Sequence, residues 1–464
     1  MCMGWKKTSI VRCMVWVLAV IFLLPVSRSA AAEESPLERA QLELLCALVS
    51  MSSYDDEINL VVRHRLQEMG WEYEPFLEKS NAANTNTFLV HRNIPDSDQE
   101  IYILAFPGTS SAKDAEVDLR MHRVPFGGTS PQEFFETAQR KDLNTSSYPF
   151  VHQGFNDYTY TALFKTPLKD YGDGTDTLGE IIAGKLCGEP ERKLILTGHS
   201  LGGAVAILAA ARLADMGVAP EQLDVITFGS PAVGNESFAR RYETLFPLSR
   251  IVIDGDPVQG TIQSVHGGYV QFGRRIDRKK NRNSNLFAHT IAVYLDDALR
   301  NFYDVRKEQG ELLTPYLENC PSVAAKVYVP YMDIQMDKEI AGDEYYMREA
   351  VKDIICGRIS QPVFGEDPEE AGLSVLCEKG KRLGCDYVLV EDFRGTRIKQ
   401  ERDNFQIVME EMLYDVDGQL MEIQSNSTTT KKMTPLEAAL YVQMAGRDSR
   451  EEAMERHSTN TLPK

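Results

Sequence analysis

The stretch Lys193-Leu-Ile-Leu-Thr-Gly-His-Ser200-Leu-Gly-Gly-Ala204 sets a single serine between a short apolar run and an alanine-rich segment. Gly198 and Gly202 flank Ser200 in a G-x-S-x-G pattern. There a sharp strand-to-helix turn lifts the serine oxygen out of a sheet, and side chains at the glycines would crowd the neighbouring backbone. A bare pattern of this kind also fits an ordinary Gly-Ser turn. Here Leu194, Ile195 and Leu196 predict a buried strand before it, and Ala204 to Leu213 predict a helix of period 3.6 after it. That is the context a nucleophile elbow requires.

A serine hydroxyl is a weak nucleophile at neutral pH, so the elbow demands a general base and a carboxylate to orient that base. In folds built on such an elbow the order along the chain is Ser, then Asp or Glu, then His. Of the eight histidines, only His266, His289 and His457 follow the serine. His457 lies in a polar C-terminal stretch, and His266 sits in Ser-Val-His-Gly-Gly-Tyr, which looks like the start of a strand. His289 follows the polar loop Asp277 to Asn285 and opens the apolar run Thr290-Ile-Ala-Val-Tyr-Leu295, so it is the favoured base. For the carboxylate, the strand Arg250-Ile-Val-Ile253 runs into Asp254-Gly-Asp256-Pro257, and spacing does not decide between the two aspartates. Asp224 is weaker, since it begins a strand and points away from the end where loops carry chemistry. For an oxyanion hole, the backbone N–H of Leu201 is positional, and Thr109 in the loop after the strand Glu100 to Phe106 offers a second donor.

These residues resemble the class 3 triacylglycerol lipases, the fungal-lipase-like branch of the α/β-hydrolases, over about residues 38 to 305. The resemblance rests on ordered motifs: Ala105-Phe-Pro-Gly-Thr109 with Asp118-Leu119, Val151-His-Gln-Gly-Phe155, the elbow, Thr227-Phe-Gly-Ser-Pro-Ala-Val-Gly-Asn235, and Asp256-Pro-Val258. It implies an α/β-hydrolase sheet with flanking helices and a triad of Ser200, Asp256 and His289, with Tyr294 five residues after the histidine. It also implies an oxyanion hole from Thr109 and Leu201, and the choice of Asp256 over Asp254 is inherited from it. Two departures touch the oxyanion loop and the acyl entrance: Pro107 stands where the family has arginine, and Gln259-Gly260 where it has a further proline. Family members carry a lid between Asp118 and Phe150. Here residues 119–150 hold Met121, Val124, Phe126, Phe134, Phe135 and Tyr148, which could open at a lipid interface or form a partly buried surface loop.

Residues 1–32 have the pattern of a signal peptide: Lys6, Lys7 and Arg12, a 13-residue apolar core from Met14 to Val26, then small residues before Glu33. That core is short for a membrane span, so an exported, soluble protein, periplasmic, envelope-bound or secreted, is expected. The formal net charge of -18 argues against nucleic acid as a partner and limits lipid contact to local apolar surface. Cys320, Cys356, Cys377 and Cys385 could pair or stay free, and no spacing suggests a metal or cofactor.

The chain beyond residue 310 is too long to belong to the hydrolase, whose span is 33–310. A smaller α/β domain is expected over 322–448, in the order βαβαβ and closing on a hairpin around Asp415-Val-Asp-Gly418, followed by a disordered tail at 449–464. Gly384-Cys-Asp-Tyr-Val-Leu-Val390 with the paired strands faintly resembles small α/β domains of bacterial envelope proteins, such as the curli-secretion lipoprotein and the amino-terminal domain of the Tol system's periplasmic protein. That resemblance implies binding to an envelope partner. Two functions follow as expectations: a serine carboxylic-ester hydrolase, most simply a lipase working through an acyl-enzyme, or an exported envelope-binding protein on a vestigial hydrolase scaffold.

Overall fold

The computed structural model describes residues 34–54, 57–79, 84–94, 99–109, 122–169, 174–258, 268–310, 323–368, 372–399, 401 and 403–461. The signal-peptide expectation, the greater part of the Asp118-Leu119 motif region, His266 and Cys320 fall outside them.

The first sheet has seven strands: β1 (Glu72–Lys79), β2 (Asn84–Asn93), β3 (Glu100–Phe106), β6 (Arg192–His199), β7 (Leu223–Phe228), β8 (Leu248–Ile253) and β9 (Arg274–Arg278), in that spatial order. The first three are antiparallel and β3 to β9 are parallel. A short pair, β4 (Arg123–Pro125) with β5 (Phe150–His152), lies apart. Strands buried on both faces read as unbroken apolar runs, and β3 and β6 do so because helices cover both sides. Ile103, Ile195 and Ile226 face the helix α1 (Pro36–Ser52), whereas Leu104, Leu194 and Leu196 face the side of the helix that follows the elbow. That helix, Leu201–Asp215, is buried from Leu201 to Leu213, and its small alanines let it lie close on the sheet.

The second sheet has the order β12 (Ile359–Phe364), β10 (Val323–Val329), β13 (Tyr387–Arg397), β14 (Phe405–Asp415), β15 (Leu420–Thr429), with β11 (Asp333–Met336) beside β13. The expected βαβαβ unit is present, with the helices Glu344–Arg358 and Leu373–Arg382 as its crossovers and the hairpin at Asp415 to Gly418. A short parallel strand, β11, and a helix, Pro435–Ala445, add to it. The helices 344–358 and 435–445 pack on the helix Glu57–Glu68 and on the helix Ile291–Gln309, and one buried cluster runs from the first sheet into the second.

The tail expectation is corrected. Residues Arg447–Thr461 form a helix, not a disordered end. Its sequence is polar all round and carries no amphipathic stripe to signal it. Tertiary pairing fixes it instead: Arg450 is fully buried, 2.5 Å from Glu411 and 3.5 Å from Glu391, with Ala453 and Met454 buried beside it. Cys46, Cys187, Cys377 and Cys385 are free thiols.

Candidate active site

Ser200 sits at the junction of β6 and the helix 201–215 with φ 57°, the single non-glycine residue with positive φ among those described. Such a conformation costs on the order of 1–3 kcal/mol and persists where the surroundings over-determine it. They do so here. The Ser200 N–H donates to Phe228 O of β7 at 2.9 Å. A Cβ on Gly198 would strike the Gly202 carbonyl, and one on Gly202 would strike Phe106 O, at the end of β3, and the backbone of Pro107 after it. The two elbow glycines are therefore required by space.

The Ser200 hydroxyl lies 2.8 Å from His289 Nε2, and His289 Nδ1 lies 2.8 Å from Asp256 Oδ2. His289 occupies a turn immediately before the helix 291–309, whose N-cap is Thr290, and Asp256 occupies the turn after β8. Parallel strands put all three at the same sheet end. Asp254, left open beside it by spacing, is exposed, whereas Asp256 is buried. Asp224 stands at the start of β7 and pairs with Arg39 at 2.5 Å, remote from Ser200 by strand direction. His457 lies on the C-terminal helix, 3.3 Å from Tyr387 Oη.

Burial pushes the Asp256 carboxyl upward, but hydrogen bonds from His289 and Tyr294 and the charge of His289 outweigh it, so the group is held below its usual value. Tyr294 donates its hydroxyl to Asp256 Oδ2 in a short bond, and the Val258 N–H donates to Oδ1 at 2.8 Å. Burial raises the Tyr294 phenol, which stays a donor. His199, inside the elbow and 4.7 Å from the His289 ring, is pushed down to about 3 by burial and by the neighbouring His289, so it is uncharged in neutral solution.

Gly229 is a residue whose role the sequence did not disclose. It has φ +60°, and a Cβ there would lie 2.7 Å from Asp256 Oδ2, 2.8 Å from Tyr294 Oη and 3.1 Å from His289 Nδ1. Its signal was present in the Thr227-Phe-Gly-Ser-Pro231 run, as a glycine following a strand. Tyr54 was also missed; its hydroxyl is 2.6 Å from His199 Nδ1 and packs against Gly108. Leu201 opens its helix at the first-turn N–H position. Thr109 is exposed three residues past the end of β3, whose Phe106 pairs with Gly198.

The described part of the lid segment, 122–150, is anchored to the core at two rings. Phe126 and Phe134 are buried, with the Arg212 guanidinium 3.5 Å and 4.2 Å from their ring centroids. That guanidinium also donates to Gly127 O and Asn156 Oδ1, at 3.0 Å each. Phe135 remains 54% exposed, and Phe287, two residues before His289, is 62% exposed. No helix among the described residues is long and apolar enough to cross a membrane, and no cluster of three metal-ligating side chains occurs among them.

The parallel sheet, the strained serine between strand and helix, and partners arriving from the loops after later strands define the α/β-hydrolase class. Residues 103–263 match the family model of lipase (class 3). A lipase of Rhizopus niveus is 30% identical over 179 residues, 38% of this chain and 37% of that protein. A secreted mono- and diacylglycerol lipase of Gibberella zeae is 32% identical over 151 residues, 32% of this chain and 33% of that protein. The chain therefore spans well under half the length of these relatives. Among solved structures, a lipase of Rhizopus microsporus var. chinensis is 23% identical with a TM-score of 0.37, covering 52% of this chain and 74% of that one.

Proposed function

We propose that this chain is a serine hydrolase of carboxylic esters that acts on lipid esters. The observation that carries the proposal is the continuous line of hydrogen bonds from Ser200 through His289 to Asp256 on a strained elbow. In this reading Ser200 Oγ attacks the ester carbonyl carbon while His289 Nε2 takes the hydroxyl proton. The oxyanion is held by the Leu201 N–H and by Thr109. Collapse breaks the carbon–oxygen bond to the alcohol, which leaves with the proton from His289, and the acyl group stays on Ser200. Water then adds to the acyl-enzyme, giving its proton to His289, and the carboxylic acid departs as Ser200 recovers its hydrogen. Asp256 holds the imidazole with Nδ1–H toward the carboxylate and balances its transient charge. A vestigial scaffold would be expected to break this line at some member. The exposed Phe287 ring beside His289 offers apolar contact to an acyl chain or lipid surface. Export is supported by the leader pattern and by the relative named as secreted.

The test is hydrolysis of p-nitrophenyl esters of graded chain length, with and without detergent micelles, by the chain and by Ser200→Ala. Loss on the order of 10⁵- to 10⁶-fold in the variant is the expected result for a triad nucleophile. Equal rates from the two folded proteins would refute the assignment.

A further inference from the structure

The strand β3 ends in the loop Pro107-Gly108-Thr109, which carries the second oxyanion donor. Pro107 brings no N–H to that loop, so one backbone hydrogen bond that could anchor it is missing. Contacts on two sides take its place. A Cβ on Gly202 would lie 2.8 Å from the Pro107 carbonyl carbon, and one on Gly108 would strike the Tyr54 hydroxyl and lie 2.9 Å from His199 O. The Pro107–Gly108 backbone therefore runs between the first turn of the elbow helix and the side chain of Tyr54, with no room for a side chain at either glycine.

Tyr54 stands two residues past the end of α1, where its N–H donates to Met51 O at 3.2 Å and its half-buried ring packs on the core cluster. Ser52 and Ser53 fasten that last turn, their hydroxyls donating to Val49 O at 2.7 Å and to Ser50 O at 2.6 Å. The Tyr54 hydroxyl lies 2.6 Å from His199 Nδ1. His199 is 5% exposed, and in its uncharged ring one nitrogen accepts a hydrogen bond. One phenol thus joins the end of α1 to the residue before the nucleophile and to the donor loop.

We propose that Tyr54 is a positioning residue for ester cleavage: its hydroxyl, donated to His199 Nδ1, presses the Pro107–Gly108 backbone toward Gly202 and presets the Thr109 donor before the oxyanion forms. This rests on the reading of Ser200 as nucleophile with Leu201 and Thr109 as donors. Tyr54 acts through the loop and does not touch the reacting carbon. A donor already in place needs no reorganisation as charge develops, which is where such donors gain their effect. Without the hydroxyl the loop has the width of an oxygen atom in which to relax, and the loss falls on the transition state rather than on the bound ester.

Hydrolysis of p-nitrophenyl butyrate by the full chain and by Tyr54→Phe, with butylboronic acid as inhibitor, tests the proposal. Ser200 Oγ bonds to the boron as His289 takes the hydroxyl proton, and the tetrahedral anion presents an oxygen to the donors. Tyr54→Phe keeps the ring and is expected to lose roughly tenfold in kcat, with KM within about twofold of the parent, and to lose the same factor in boronate affinity. The acid limb of the kcat/KM profile should stay in place, because the base is untouched. His199→Phe, which leaves the Tyr54 hydroxyl without its acceptor, is the second variant and should show the same paired loss. Circular dichroism confirms the fold of each. The proposal is overturned if Tyr54→Phe keeps the parental kcat, or if its kcat falls while boronate affinity holds. It is also overturned if the acid limb moves by more than about half a unit, which would place the effect on His289. Undiminished hydrolysis by Ser200→Ala would instead strike the proposed function, and this proposal with it.

Discussion

Asn283 Nδ2 donates to Asp343 Oδ1 at 3.0 Å, tying the loop that leads to His289 to the N-cap of the helix Glu344–Arg358. The same side chain donates to Ala341 O at 3.0 Å, Asn281 reaches Asp343 Oδ2 at 3.4 Å, and Arg300 pairs with Asp343 at 2.8 Å. The helix 344–358 thus helps to anchor the loop that leads to His289. In Asn283→Ala, kcat/KM should fall roughly tenfold, mainly through kcat, because a slightly misplaced base slows the chemistry more than it weakens binding. Steady-state kinetics check this, and an unchanged kcat would separate the loop tether from catalysis.

Gly229→Ala should inactivate without unfolding. Its Cβ would enter the junction of Asp256, Tyr294 and His289 in a backbone conformation that alanine resists. A displacement near 1 Å at the base corresponds to a loss on the order of 10²-fold in kcat/KM. The far-ultraviolet spectrum should stay that of the parent while ester hydrolysis drops.

Tyr294→Phe removes one of the hydrogen bonds that hold the Asp256 carboxyl low. A depressed carboxylate contributes stability that is present above its unfolded value, near 3.8, and is lost as pH falls through its folded value. The variant should therefore be less stable than the parent in neutral solution, with the difference closing as pH drops below that value. Urea unfolding across a pH series measures it.

Much of this site was legible because its parts are local or ordered along the chain. The elbow is contiguous, and the order of Ser, Asp and His follows from parallel strands whose loops emerge at one end. Asp254 and Asp256 could not be separated by spacing, since both sit in one turn and only tertiary packing buries Asp256 and exposes Asp254. Tyr54 acts through space on a residue far along the chain, so its neighbours supplied no signal, whereas Gly229 showed only as a glycine following a strand. For Phe126 and Phe134 the sequence left a flap and a partly buried loop both open, and a guanidinium from the elbow helix gathers the two rings into the core. The C-terminal helix was missed because its buried contact is an ion pair and not an apolar stripe.

That ion pair gives a stability prediction. Burial, then the charge of Glu411, drives the Glu391 carboxyl well above its ordinary value near 4.5. A raised carboxyl means the folded chain keeps a proton the unfolded chain has lost, so this term costs stability increasingly as pH rises from that value. Glu391→Gln, which keeps an acceptor for Gln443, should flatten the decline between mildly acidic and mildly alkaline buffer. Arg450→Met should instead destabilise by about 3–5 kcal/mol, because it leaves Glu411 buried without its partner.

The central claim, that Ser200 is the nucleophile activated by His289, is tested most directly by labelling the full chain with a p-nitrophenyl phosphonate and mapping the adduct by mass spectrometry. The account predicts one adduct, on the peptide containing Ser200, with release of one equivalent of p-nitrophenol and no adduct in His289→Ala on the same time scale. An adduct on another serine, or none from a folded protein, would contradict it.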